Sequence, residues 1–264
     1  MNQSYLRILE SSLNLRIEKG YTNKDYHLDS SVAYIQLKYE PDVLVNVEDM
    51  EECNRAEYDD ILCAASYKRI VATDDRQKRG VSCWVKNGYH SKKIFSMAYP
   101  HFLHVLISND DIRINLLIVR ILIKSSSWSP KEDIDADFKN RYRQWQRVMQ
   151  YVDNLKDKSN IVIIGDLNHG VISEKYTSEH ARRFYNYQMI CDDLKRQNIR
   201  IAPIEGYSKD GFLKIDHIAT SSNVKVLEAK YEDPFDYLGT QKERSKRIGI
   251  PDHSVIFSIL NICS

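Results

Sequence analysis

The chain has 264 residues, of which 42% are hydrophobic and 28% charged, and its formal net charge is +1 at pH 7. A chain of that length buries roughly three-quarters of its unfolded surface and needs no staples to fold; its near-neutral charge excludes a surface that is basic throughout and leaves only local patches for nucleic acid. Cys53, Cys63, Cys83, Cys191 and Cys263 are scattered, odd in number and form no CxxC pair, which excludes a disulfide framework or a cysteine zinc site.

The opening MNQSYLRILESSLNLRIEKG carries no apolar leader, and no stretch approaches the roughly 18 apolar residues of a membrane span. A cytoplasmic location and no membrane partner are therefore expected. No repeat, low-complexity tract or linker interrupts the chain, so a single domain over residues 1–264 is expected.

In chain order, LRILESSLNLR is read as a strand, Ser30 to Tyr39 as a short helix, and DVLVNV (42–47) as a strand ending at Glu48. A helix is expected from Glu51 to Tyr67. Strands follow over Lys68–Thr73, Val81–Val85, Lys92–Met97, Leu103–Ile107 and Ile112–Ile123. The run INLLIVRILI is apolar throughout, as in a central strand covered on both faces. Ser129, Pro130 and Glu132 resemble an N-cap, a first-turn proline and a capping-box acid. The helix they introduce carries Phe138, Tyr142, Trp145, Val148, Met149, Val152 and Leu155 at spacings of three and four, an apolar stripe that belongs to a core. IVII (161–164) is a second buried strand, and Glu179–Arg196 reads as one long helix. Strands close the chain at Ile199–Ile204, Phe212–Thr220, Val224–Tyr231 and Ser254–Leu260. Many strands and few long helices predict two packed sheets with helices outside.

Acidic groups recur at the ends of these buried strands: Glu48, then Asp166 and Asn168 in IVIIGDLNHG, Asp216 in LKIDHIA, and Asp252 with His253 in IPDHSVIFSIL. A carboxylate beside a buried strand costs free energy unless it is paired or binds a cation, so their recurrence predicts convergence on one cluster. Carboxylate and amide oxygens are hard ligands that suit Mg²⁺, with Mn²⁺ as substitute, rather than zinc. Such a cation with carboxylates and a histidine is equipment for the attack of water on a phosphate ester.

Those stretches resemble, in order, the motifs of the endonuclease/exonuclease/phosphatase (DNase I-like) superfamily. PDVLVNVE resembles its PD-apolar-QE motif, IIGDLN its GDFN motif, KIDHIA its IDHIL-type motif and PDHSVIF its terminal SDH motif; RGVSCWVKN resembles the strand that typically follows the Glu motif, and SLNLR the first strand's Asn motif, pointing at Asn14. The resemblance spans residues 6 to 260. It implies an α/β fold, a four-layer α-β-β-α sandwich of two β-sheets flanked by helices. It also implies roles: Glu48 on the metal, with Asn14 and Asp252 supporting it directly or through water. Asp166 orients or deprotonates the attacking water, and Asn168 contacts the phosphate or places the nucleophile. His253 stabilises developing charge, and Asp216 fixes its tautomer. His217 is expected to pack, His169 to lie on a surface loop, and Glu40, Asp42, Asp49, Glu51 and Glu52 to be solvated.

The chain departs from the superfamily on the strand before the long helix, where a His or Tyr is usual. Here that strand reads NLLIVRILIKSS, and Arg120 is its polar residue within the apolar run. A charge there needs a partner, and a phosphate is the expected one. Since arginine cannot act as a general acid at neutral pH, leaving-group protonation would pass to His253 or a metal-bound water.

A DNA nuclease is the first functional expectation, supported by basic runs at Arg76–Arg79, Lys139–Arg147 and KERSKR (242–247). Arg79, Lys242, Arg244, Lys246 and Arg247 are the expected substrate-binding cations. The alternatives are a phosphatase or phosphodiesterase acting on a small or lipid phosphoester, and a non-catalytic binding protein on the same fold. Retention of every acidic motif speaks against the last.

Overall fold

The computed structural model describes residues 4–15, 27–50, 53–72, 80–124 and 130–262. Two six-stranded sheets face each other. In the first, β1 (Ser4–Ser12) and β2 (Val43–Asp49) form a parallel pair. Antiparallel β3 (Tyr67–Val71) and β4 (Gly80–Lys86) flank them on one side. β11 (Val224–Glu232) and β12 (Val255–Ile262) lie on the other, giving the order β11-β12-β1-β2-β4-β3. The second sheet repeats the plan around the parallel pair β7 (Arg113–Arg120) and β8 (Ile161–Asp166). With β5 (His90–Met97), β6 (His101–Ser108), β9 (Ile199–Ile201) and β10 (Asp216–Ser221), its order is β5-β6-β7-β8-β10-β9.

Period-two alternation sorts the side chains. Ile8, Val45, Leu116, Ile118, Val162 and Ile164 fill the layer between the sheets. The residues between them point outward: Leu9 and Leu44 toward α1 (Ser31–Leu37) and α2 (Ala56–Ala64), Leu117, Val119 and Ile163 toward α3 (Lys131–Asp153) and α5 (Tyr187–Arg196). This is the four-layer α-β-β-α sandwich, and it explains why the runs in β7 and β8 are apolar on both faces. No helix among the described residues is long and apolar enough to cross a membrane.

Several boundaries differ from the expected ones for tertiary reasons. β7 stops at Arg120 because Leu122 turns to Gln144, whose amide accepts from its N–H at 2.9 Å and donates to its carbonyl at 3.0 Å. The helix expected from Glu51 begins at Ala56 and yields to β3 at Tyr67; Glu51 and Glu52 lie outside the described residues. Pro130 stands at the N-cap of α3, with Ser129 outside the described residues. The helix expected over Glu179–Arg196 is broken into α4 (Glu179–Arg182) and α5. Between them Tyr185 is fully buried and its hydroxyl donates to the Leu167 carbonyl at 2.8 Å, while Asn186 caps α5 by accepting from Met189 N–H at 2.8 Å. The last expected β10 residues before Asp216 form instead a turn, with Phe212 N–H bonded to the Lys209 carbonyl and Ser208 N–H to that of Leu213.

Candidate active site

The two parallel pairs end at the same edge of the sandwich, and the antiparallel strands β10 and β12 begin there. Glu48, Arg120, Asp166, Asp216, Asp252 and His253 are thereby delivered to one place from both sheets. Glu48 sits in a bulge where the β2–β4 register shifts between Val47 and Asp49, and its φ is +55°; the extra residue aims the carboxylate off the strand. Asp166 faces Asp216 in the β8–β10 register and Arg120 in the β7–β8 register.

Asp166 is buried at 2% exposure. Asn168 donates to it twice, from its backbone N–H to Oδ1 and from Nδ2 to Oδ2, both at 2.8 Å. Nδ2 also donates to the Ile121 carbonyl, so the Asn168 amide nitrogen is engaged inside the protein and orients Asp166. Burial and the charge of Asp216 push Asp166 up to about 7, against His253 and Arg120, which favour its ionised form.

His253 Nδ1 donates to Asp216 Oδ2 at 2.9 Å. Burial and the ammonium of Lys209 oppose charge on the imidazole, but Asp216 and Asp252 outweigh them and hold its pKa up to about 9. Lys209 Nζ lies 3.0 Å from His253 Nε2 and 2.9 Å from Asp252 Oδ2. Contact and charge balance pull in opposite directions, because an ammonium donating to Nε2 requires a neutral imidazole. Lysine is the more basic group, so Lys209 keeps the proton in this arrangement and Nε2 accepts.

Arg120 departs from its expected role. Its guanidinium pairs with Glu48 Oε1 and lies 3.7 Å from Asp166 Oδ2, so the partner of this buried charge is the carboxylate expected to hold metal. Asn14, at φ +49°, donates from Nδ2 to the carbonyls of Arg244, Arg247 and Ile250 at 3.2, 2.9 and 3.3 Å. It fixes the loop that leads into Asp252.

Of the expected substrate cations, Arg244 is overturned. It is fully buried, and its guanidinium is held by Asp233 and by the carbonyls of Pro251, Phe235 and Gly239. Lys242, Lys246 and Arg247 are exposed, and Arg79 lies outside the described residues. His169 is buried at 1%, edge-on to Phe138 and Tyr185, not on a surface loop; burial and the Arg141 charge lower it to about 4. His217 packs, donating from Nε2 to the His169 carbonyl at 2.7 Å. Asp49 is not solvated: it is 4% exposed and bound to Arg55, Arg69 and Ser82.

Three features escaped the sequence reading. Lys209 is the first. The second is Glu10, on the inner face of β1, whose two buried oxygens meet no hydrogen-bond donor among the described residues; burial, then the charges of Asp216 and Asp166, push its carboxyl well above the usual range. A glutamate inside an apolar strand run was the available signal. The third is Arg141, which grips Asp137 and donates to the Asn168 carbonyl at 3.2 Å, bracing the loop after β8 from α3. A cavity of about 940 Å³ adjoins the cluster, with Lys209, Tyr207, Phe212, Tyr231 and Lys242 on its walls.

No three His, Cys, Asp or Glu side chains among the described residues close around a point as a ready metal cage. Mg²⁺ does not demand one, since it keeps several waters and takes one or two carboxylates. Glu48 and Asp252 fit that demand: both are hard oxygen donors, and Asp252 Oδ1 is buried with no hydrogen-bond partner among the described residues.

No protein-family model and no curated protein matches the chain. Solved structures do. D. rerio TDP2 complexed with single strand DNA product is 13% identical, with 98% of this chain and 99% of that one covered at a TM-score of 0.60. An endonuclease/exonuclease/phosphatase from Bacteroides vulgatus is 12% identical, covering 98% and 99% at 0.59. The endonuclease domain of TRAS1, a telomere-specific non-LTR retrotransposon, is 10% identical, covering 98% and 99% at 0.57. The chain shares the fold of these endonuclease/exonuclease/phosphatase structures along almost its whole length.

Proposed function

We propose that this chain is a Mg²⁺-dependent phosphoesterase that hydrolyses phosphodiester bonds in nucleic acid, with DNA as its substrate. The observation that carries the reading is the facing pair Asp166 and Asp216, both buried, the first oriented by two hydrogen bonds from Asn168 and the second holding the His253 imidazole. That is a base and an orienter–imidazole pair in one cleft, as hydrolysis at neutral pH requires.

Glu48 and Asp252 would hold the Mg²⁺, with Asn14 fixing the loop under Asp252. When bound, the ion supplies charge neutralisation and polarisation of the phosphate. Asp166, oriented by Asn168, takes the proton of the attacking water. His253 turns Nε2 toward the phosphate while Asp216 keeps the other ring nitrogen protonated. Arg120 adds a delocalised positive charge beside Glu48 and Asp166 but releases no proton, so protonation of the leaving oxygen falls to His253 in its imidazolium form, which Asp216 and Asp252 favour once Nε2 no longer accepts from Lys209.

Nucleic acid is favoured over a small phosphoester by the surroundings. Exposed Lys242, Lys246 and Arg247 precede the PDH motif, and exposed Lys139, Arg143 and Arg147 line α3, a distribution suited to a phosphate backbone. Tyr207 and Phe212 beside the cluster suit stacking of bases.

The test is cleavage of supercoiled plasmid, linear duplex and single-stranded DNA in Mg²⁺, Mn²⁺ or EDTA. Metal-dependent cleavage that falls by about 100-fold or more in both Asp166→Ala and His253→Ala is expected. Absence of cleavage on every DNA, or variants as active as the parent, overturns the reading and directs the assay to RNA and small phosphoesters.

A further inference from the structure

Lys209 lies outside all the motifs, in the turn between β9 and β10, yet its ammonium reaches Asp252 Oδ2 at 2.9 Å and His253 Nε2 at 3.0 Å. It therefore neutralises one of the two carboxylates assigned above to the metal. Arg120 does the same for Glu48, but the two cations differ in freedom. Arg120 is carried by a central strand, is 10% exposed, and is wedged between Glu48 and Asp166. Lys209 is on a turn, is 25% exposed, and forms part of the wall of the 940 Å³ cavity. Its flexible four-carbon stem can withdraw the ammonium into that cavity without crossing the core. Among the described residues no other side chain donates to Asp252, and its Oδ1 is buried without a hydrogen-bond partner. An ammonium and a divalent ion cannot share such a carboxylate closely, because like charges a few ångströms apart repel strongly in this half-buried setting.

We propose that Lys209 is a displaceable counter-cation: a divalent ion binding at Glu48 and Asp252 drives the Lys209 ammonium off Asp252 and His253 and onto the wall of the adjoining cavity. This rests on the metal-dependent reading above. The exchange keeps the acidic cluster neutralised before metal arrives, and it lowers the affinity for metal by the work of displacing the lysine. The wall that receives the ammonium carries Asp210, Asp233 and Asp236, acidic side chains that offset its charge there.

Calorimetric titration of MgCl₂ into the full chain, with Mg²⁺-induced thermal shifts alongside, tests this on Lys209→Met, Lys209→Arg and Asp252→Asn. Lys209→Met is expected to bind Mg²⁺ roughly ten-fold or more tightly than the parent, because a unit charge about 4 Å away at an effective dielectric near 20 is worth more than one factor of ten. Lys209→Arg, which keeps the charge, stays within about three-fold of the parent, and Lys209→Met gains nothing in an Asp252→Asn background, as a coupled pair requires. Circular dichroism of each variant without Mg²⁺ checks that it folds. If Lys209→Met binds Mg²⁺ no more tightly than the parent, the exchange is overturned while the metal site stands. If neither protein gives heat or thermal shift with Mg²⁺, the metal-dependent reading fails and the exchange with it.

Discussion

Replacing Arg244 by methionine separates a structural arginine from a nucleic-acid contact inside one basic run. Arg244 is fully buried. Its Nε donates to the Pro251 carbonyl at 2.7 Å, one terminal nitrogen to the carbonyls of Phe235 and Gly239, and the other to both Asp233 oxygens at 2.6 and 2.8 Å. Methionine keeps most of the stem and removes every donor. A buried acceptor left without its donor costs about 1–3 kcal/mol, and three carbonyls are affected. Asp233 is 28% exposed and rehydrates, so its share is small. The expected loss is roughly 3–5 kcal/mol, the range for removing one partner of a buried pair. Urea denaturation at 25 °C, read from midpoint and slope, measures it, with exposed Lys246→Met as a baseline within about 0.5 kcal/mol. A loss below about 1 kcal/mol, together with weakened DNA binding, would refute the structural assignment.

Asp166→Asn should change the pH dependence of stability of the metal-free protein in EDTA, over and above a fixed cost of setting the new amide nitrogen against one of the two Asn168 donors. The carboxyl rises on folding from 3.8 to about 7, so its stability contribution is present below pH 3.8 and is lost as pH rises through about 7. The stability of the variant relative to the parent should therefore be roughly 2–4 kcal/mol more favourable at pH 8 than at pH 3.5; the same difference at both pH values would contradict this charge assignment. Lys242→Ala and Lys246→Ala, both exposed, should each weaken DNA binding uniformly across sequences and reduce the slope of log K against log salt by about 1. Anisotropy titrations at several salt concentrations measure this, and unchanged slopes place both residues away from the backbone. Gly165→Ala should cost about 3 kcal/mol or more by thermal denaturation, since Gly165 has φ +131° and a Cβ there would overlap the Val119 carbonyl on β7. A melting temperature within 2 °C of the parent, against a shift of several degrees expected for such a loss, would show that the parallel pair tolerates the spacing.

The residue pattern alone determined the covered strands, the apolar stripe of α3 and the hard-oxygen character of the acidic motifs. These properties are local: period-two alternation, uninterrupted apolar runs and three-four spacing are written in near neighbours, and strand-end carboxylates announce themselves by the cost of burying them. The same reasoning named residues that the fold brings together, Asp166 with Asn168 and Asp216 with His253. Their partners at longer range were decided by tertiary structure. Nothing near Arg244 in sequence distinguishes it from exposed Lys242 and Lys246; the path of the β11–β12 connection buries it. Lys209 meets Asp252 across 43 residues and Arg120 meets Glu48 across 72, because two sheets and one turn happen to end at the same edge. The burial of His169, the burial of Glu10 between the sheets, and the break between α4 and α5 at Tyr185 have the same origin. A side chain's type is local information, whereas its dielectric surroundings and its ion-pair partner belong to whichever distant segments pack against it.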